Sequence, residues 1–289
     1  MKDALFTGVC TALVTPFLGD TINYPMVEVL LKRQIDAGIR AVVLAGTTGE
    51  SPALTDSEKL ELFRRAKSYV GDACKIIAGT GSNNTAHAVR LSRLAQETGV
   101  DGLLIVSPYY NKGTVDSLER HFVSISQSVS IPIIIYNVPS RTGQDMPVEL
   151  YSRLSKKGNI AGVKEAGTDL TKITKSRSAC GPYFTIWSGN DDLTVPVISL
   201  GGKGVISVTS NIAPVEIATM TNAALDGDFC TASELQSKLQ ALNELMFCEV
   251  NPIPVKAAMR YIGYDCGTCR LPLGEPSAET RKKLAEFFG

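Results

Sequence analysis

Eight short runs rich in β-branched residues recur along this 289-residue chain, each separated from the next by a stretch with helical patterning. They are "VCTALVTPF" from Val9, "AVVLAG" from Ala41, "KIIAGTG" from Lys75, "GLLIVSP" from Gly102, "IIIYNV" from Ile133, "IAGVKE" from Ile160, "FTIWSG" from Phe184 and "GVISVTS" from Gly204. Successive runs begin 20 to 34 residues apart, the length of one strand–helix unit. Each is apolar on both faces, the mark of a strand covered on both sides of a parallel sheet. Eight such units favour a closed barrel over an open doubly wound sheet. The fold class predicted is therefore α/β, a (β/α)8 TIM barrel.

Local signals punctuate the stretches between runs. Pro25 suits a first helical turn, with Val27, Leu30, Leu31 and Ile35 on one face and Gly38 as the stop. Thr55 and Glu58 have capping-box spacing ahead of Leu62, Phe63, Ala66 and Tyr69. Ala88, Leu91 and Ala95 precede Gly99, and Pro147 and Pro214 mark further helix starts. From about Asp226 the strand pattern stops. Leu235, Leu239, Leu242 and Leu245 then fall at helical spacing, a helix is expected after Pro254, and another from about Ser277 to Phe288. The expected division is a catalytic barrel over 1–225 and a C-terminal helical domain over 226–289.

Charge and cysteine content narrow the function. Lys+Arg and Asp+Glu number 29 each, so no global field draws the chain to nucleic acid or an anionic membrane. No apolar run approaches the length of a transmembrane helix, and the N-terminal residues make a poor signal peptide. Seven scattered cysteines do not form a disulfide framework, which points to a reducing compartment and a cytoplasmic location. Cys266 and Cys269 form a lone CxxC with no partner pair, so a structural role is expected rather than zinc or redox chemistry. The histidines are His87 and His121 alone, too few for a multi-histidine metal site. No P-loop, dinucleotide fingerprint or nucleophile elbow is present, and Gly201-Gly202-Lys203-Gly204 precedes a strand, on the wrong face for a barrel active site. No metal or cofactor is expected.

In a β/α barrel the reactive groups gather where the strands end. Here those ends are polar: Thr47, Thr48 and Glu50 after the second run, Ser82 and Asn83 after the third, Tyr109 and Tyr110 after the fourth. Tyr136 and Arg141 follow from the fifth, Lys164 from the sixth, and Gly189 to Asp191 from the seventh. Lys164 is the sharpest candidate. Burial of an ammonium disfavours its charged form, which frees an amine to attack a carbonyl. The competing reading pairs Lys164 with Glu165 or another carboxylate, the usual state of a buried charge. Imine chemistry needs a proton shuttle but no metal. Tyr136 can serve, with the hydroxyls of Thr47 and Tyr110 relaying the proton; a core role is the commoner one for a single tyrosine, but its place ahead of a glycine-containing loop favours function. Arg141 can grip a carboxylate bidentately, or be a solvated loop residue. The backbone N–H groups around Thr47, Thr48 and Gly49 can form a second carboxylate pocket.

These motifs resemble the pyruvate-dependent class I aldolase family of dihydrodipicolinate synthase and N-acetylneuraminate lyase. The likeness rests on "GTTGES" at Gly46, "SPYYNK" at Ser107, "YNVPSRTG" at Tyr136, "GVKEA" at Gly162 and "GVISVTSN" at Gly204, and runs from Val14 to the C-terminal helices. It implies a lyase in which Lys164 forms an imine with pyruvate and Thr47, Tyr136 and Tyr110 form a proton relay. It also implies that Thr48 binds the pyruvate carboxylate, Arg141 the carboxylate of L-aspartate 4-semialdehyde, and that the backbone at Gly189 and Ile206 lines the pocket. The residue matching Tyr110 reaches the neighbouring subunit's site, so a dimer is the implied active unit, within a homotetramer. Arg141 and the Thr47-Thr48 pair favour the synthase branch, on the route to diaminopimelate and lysine, over sialic-acid lyases. A sugar-acid lyase of the same family and a non-catalytic 2-oxo-acid-binding barrel are the rivals.

The resemblance also implies a regulatory cleft. Ser51, Asn83 and Tyr109 match the pocket in which lysine-inhibited members bind lysine, but His87 stands where an acidic residue faces the ligand's ammonium, and Pro52, Asp56 and Lys59 depart too. Histidine cannot supply a carboxylate's attraction and Lys59 repels a cation, so weak or absent lysine feedback is expected.

Overall fold

The computed structural model describes residues 4–289. Its eight long strands are β1 (Gly8–Ala12), β2 (Ala41–Leu44), β3 (Lys75–Gly79), β4 (Gly102–Val106), β5 (Ile133–Asn137), β6 (Ile160–Glu165), β7 (Thr185–Ser188) and β8 (Gly204–Ser207). Each pairs in parallel with its sequence neighbours, and β8 pairs with β1, closing the barrel. The strands begin within one residue of the expected positions. A two-stranded antiparallel ribbon, Phe17–Leu18 against Thr21–Ile22, was not expected. Two residues per strand are too few to show a period.

Strand parity separates two cores. Cys10, Ala12, Ala41, Val43, Ile77, Leu104, Ile134, Tyr136, Trp187 and Ile206 form one cluster, the barrel interior. The alternate residues, such as Val42, Leu44, Ile76, Leu103, Ile135, Val163 and Val205, join the helices in a second, larger cluster. Trp187 fills the interior: its ring stacks on Phe6 with centroids 4.8 Å apart, and Nε1 donates to the Phe6 carbonyl at 3.2 Å. Each fully buried aliphatic side chain contributes about 1.5–3 kcal/mol.

The helices start and stop where short-range chemistry dictates. Asn23 caps Tyr24–Asp36, and Pro25 falls in its first turn. Thr55 and Glu58 make both hydrogen bonds of the capping box at Asp56–Val70, with Gly71 beyond the end. Helices Phe229–Met246, Ile253–Tyr261 and Ala278–Phe288 complete the chain. They contribute Leu239, Leu242, Met246, Val255, Ala258 and Leu284 to the larger core. Cys266 and Cys269 are buried free thiols, and burial pushes both up to about 12. They pack as small apolar side chains.

His121 is buried on helix Val115–Ser128, with Nδ1 against Thr85 Oγ1 at 2.9 Å and Nε2 unpartnered. Burial lowers its pKa from 6.5 to about 4. The unfolded chain therefore binds a proton below about pH 6.5 that the folded chain refuses until about pH 4, so stability falls with falling pH across that window. At fixed protein concentration, denaturant unfolding of a His121→Leu variant should show a slope shallower by up to about 1.4 kcal/mol per pH unit. Parallel slopes would exclude His121 as the source.

Candidate active site

Neighbouring residues on β6 face opposite ways, and the site follows from that. Lys164 points into the barrel, in register with Tyr136 on β5 and Trp187 on β7, and is 4 % exposed. Its Nζ lies 4.4 Å from the centre of the Tyr136 ring. Glu165 points the other way, into the helical layer. Its Oε1 accepts from Asn137 Nδ2 and the Gly167 N–H, each at 2.7 Å, and its Oε2 from the Tyr151 hydroxyl at 2.6 Å. Lys172 stands 3.3 Å from the same carboxylate. Glu165 is thus fully engaged away from Lys164. Buried Lys172 and Lys256 carry ion pairs, whereas Lys164 makes none among the described residues. Pairing with Glu165 is excluded by parity.

The loop after β2 presents Thr47 and Thr48. It turns through two left-handed non-glycine residues, Ala45 at φ 50° and Glu50 at φ 56°. It also runs so close to β3 that a Cβ on Gly79 would lie 2.1 Å from the Ala45 carbonyl oxygen, so only glycine fits there. Among the described residues, the N–H groups of Thr47, Thr48 and Gly49 donate to nothing, while those of Glu50 and Ser51 close back onto Thr47 and Gly46 at 3.1 Å. Thr48 is buried, and its Oγ1 accepts from Asn251 Nδ2 at 3.1 Å. Such a loop of free amides suits a small anion.

A cavity of about 600 Å³ is lined by Thr47, Tyr136 and Arg141 together with Ser51, Asn83, His87 and Tyr109, and Lys164 and Thr48 lie behind that lining. Arg141 sits on the short turn Pro139–Thr142 and donates through Nη2 to the Asn251 carbonyl at 2.9 Å. The Gly189 N–H is taken by the Glu165 carbonyl at 2.6 Å. Ile206 is fully buried in the barrel interior, in register with Cys10 on β1. Tyr110 stands apart: at φ 71° and 92 % exposed, it does not reach Lys164 within this chain.

On the far side of the cavity, His87 Nε2 lies 3.0 Å from both Asp56 oxygens and Arg90 meets the same carboxylate at 2.9 Å. Asn83 Nδ2 donates to the Tyr109 carbonyl at 3.2 Å. Lys59 is buried at the cavity wall and makes no ion pair among the described residues.

Asn251 escaped sequence reasoning altogether, and Glu50 and Asp191, read there only as polar strand-end residues, have supporting roles that it missed. Asn251 ties Thr48 to Arg141 from the C-terminal region. Glu50 accepts from Lys256 Nζ at 2.8 Å and from the Arg270 N–H at 2.8 Å, holding the Thr47–Thr48 loop from the same side. Asp191 is wholly buried and accepts from the Ser207 hydroxyl and from the N–H groups of Val208 (2.9 Å) and Thr209 (3.2 Å), fixing the backbone beyond β8; burial pushes its carboxyl up. No local pattern announces the first two, because their partners lie some two hundred residues away in sequence.

This geometry has close relatives. Residues 5–288 match the model of the dihydrodipicolinate synthetase family. A 4-hydroxy-tetrahydrodipicolinate synthase from a Thermoanaerobacter species is 47 % identical over 97 % of this chain and 95 % of its own. The crystal structure of dihydrodipicolinate synthase from Aquifex aeolicus superposes with a TM-score of 0.95 at 42 % identity, covering 98 % of this chain and 97 % of that one. The Cyanidioschyzon merolae enzyme, crystallised with lysine bound, gives a TM-score of 0.95 at 40 % identity with the same coverage.

Proposed function

The chain belongs to the dihydrodipicolinate synthetase family, and on that premise we propose that it is a lyase condensing pyruvate with L-aspartate 4-semialdehyde through an imine on Lys164. The observation that carries the reading is a buried amine with no ion-pair partner among the described residues, facing the Tyr136 ring. The amine of Lys164 adds to the pyruvate carbonyl carbon, and the carbonyl oxygen leaves as water. Loss of a methyl proton converts the imine to an enamine, whose carbon attacks the aldehyde and forms the new C–C bond. The aldehyde oxygen takes up a proton and becomes the hydroxyl. The semialdehyde's own amine then displaces Lys164 from the imine carbon and closes the ring.

Each polar group has a part in this sequence. Tyr136 carries protons to and from the reacting oxygen, with Thr47 beside it in the cavity. Thr48 and the unengaged amides of its loop hold the pyruvate carboxylate, while the carbonyls of Gly189 and Ile206 flank the bound keto acid. Arg141 takes the carboxylate of the semialdehyde, a placement that favours this acceptor over a sugar aldehyde. A non-catalytic 2-oxo-acid-binding barrel would not require the unpaired lysine.

Tyr110 completes the relay of a second copy of the chain, which accounts for a tyrosine held exposed in a left-handed turn. The active unit is then a dimer, within a tetramer. No helix among the described residues is long and apolar enough to cross a membrane, and the free thiols suit the reducing cytoplasm. In the regulatory cleft of Ser51, Asn83, His87 and Tyr109, the Asp56 carboxylate is already engaged by His87 and Arg90, and Lys59 adds positive charge. A lysine ammonium finds no free carboxylate there, so feedback is weak or absent.

Three experiments test this. Borohydride reduction in the presence of pyruvate, followed by peptide mass spectrometry, should place a reduced pyruvyl adduct on Lys164; no adduct, or one elsewhere, removes the mechanism. Equal mixing of Lys164→Ala and Tyr110→Phe chains, each inactive alone, should restore about a quarter of the wild-type sites, because half the dimers are mixed and each has one intact site; no recovery despite subunit exchange rules out the shared site. Steady-state rates should be unaffected by millimolar L-lysine, and half-inhibition at sub-millimolar lysine would refute the account of the cleft.

A further inference from the structure

Asn251 lies outside the barrel strands and their loops, between helices Phe229–Met246 and Ile253–Tyr261, yet it is 5 % exposed and touches both carboxylate sites. Its side-chain amide donates to Thr48 Oγ1 at 3.1 Å, and its backbone carbonyl accepts from Arg141 Nη2 at 2.9 Å. Its Oδ1 is buried with no hydrogen-bond partner among the described residues. An acceptor buried without a donor costs stability, on the order of 1–3 kcal/mol, so local stability does not account for an asparagine here.

We propose that Asn251 is a positioning residue that sets the hydrogen-bond polarity of Thr48 and, through its carbonyl, the direction of Arg141, so that both carboxylate pockets are organised by one residue of the C-terminal region. This rests on the assignment of Thr48 to pyruvate and Arg141 to the semialdehyde. A threonine hydroxyl has one hydrogen and two acceptor lone pairs. With a lone pair occupied by the Asn251 amide, the hydrogen must point elsewhere and is left for an anion held by the unengaged amides of the same loop. Without that donor the hydroxyl is free to rotate, and an anion must reorient it on binding. The Arg141 contact acts in parallel. One N–H directed at a fixed carbonyl holds the guanidinium plane, leaving the remaining donors for a carboxylate.

The isosteric Asn251→Asp substitution tests this, since it keeps the backbone carbonyl and the side-chain shape but replaces the donor with an acceptor. The Thr48 hydroxyl then donates to the new carboxylate and is lost to pyruvate. The pyruvate KM should rise about ten- to a hundred-fold, the range for losing a hydrogen bond to a charged group. The semialdehyde KM and kcat at saturation should change far less, because the backbone carbonyl that Arg141 meets is retained. A Thr48→Val substitution should raise the pyruvate KM on its own and add little in combination with Asn251→Asp, because both break one interaction. A role confined to structure would lower the melting temperature without this split and without this coupling.

An unchanged pyruvate KM in a folded Asn251→Asp enzyme, or independent multiplication of the two effects, overturns the proposal. If that variant does not fold, the same KM and coupling measurements on Asn251→Ser decide. The borohydride adduct on Lys164 reports separately on the imine. If Thr48→Val alone leaves the pyruvate KM unchanged, the carboxylate assignment falls and takes this inference with it. If Thr48→Val raises KM but Asn251→Asp does not, the inference falls alone.

Discussion

A strand places adjacent side chains on opposite faces, and at the end of β6 this separates two groups of opposite charge that would otherwise neutralise each other. Glu165 is satisfied in the helical layer by Asn137, Tyr151, Gly167 and Lys172. Lys164 is left inside the barrel with an aromatic face and, among the described residues, no ion-pair partner. An unpaired buried amine is costly. It persists because the surrounding structure holds it there: Trp187 and Ile206 pack the interior below, and the β5–β6–β7 register fixes its height.

The rest of the site is held by charge that is paired. Glu50 and Lys256 form an ion pair with side chains 0 % and 2 % exposed, and Arg270 spans Glu58 and the Glu50 loop. Removing one partner of such a pair typically costs about 3–5 kcal/mol, because the other charge is left buried and alone. Contacts from residues 251 to 270 therefore restrain the Thr47–Thr48 loop from outside the barrel. The barrel supplies the buried amine of Lys164, and the C-terminal region holds the Thr47–Thr48 loop beside it.

What was legible in the sequence follows from how far each interaction reaches. Strands buried on both faces need continuous apolar runs, so all eight could be located to within a residue. The capping box of Thr55 and Glu58 spans three residues and was equally plain. Lys164 stood out because a strand-end lysine is a local feature read against a periodic background. The Asn251–Thr48 and Lys256–Glu50 contacts cross 203 and 206 residues and leave no trace in any window. Glu50 could be read only as one more polar residue in a loop. Tyr110 lay between these cases: the residue was visible, whereas its outward aim depends on a backbone angle that no pattern encodes.

The Glu50–Lys256 pair also orders events in time. A ribosome makes the anion-binding loop early and its counter-charge some two hundred residues later. Until residue 256 has emerged, Glu50 cannot be buried without desolvating an unmatched carboxylate, so the nascent barrel must keep that loop hydrated and open. The loop around Thr47 and Thr48 thereby takes its final form only at the last stage of synthesis, long after Lys164 has been made.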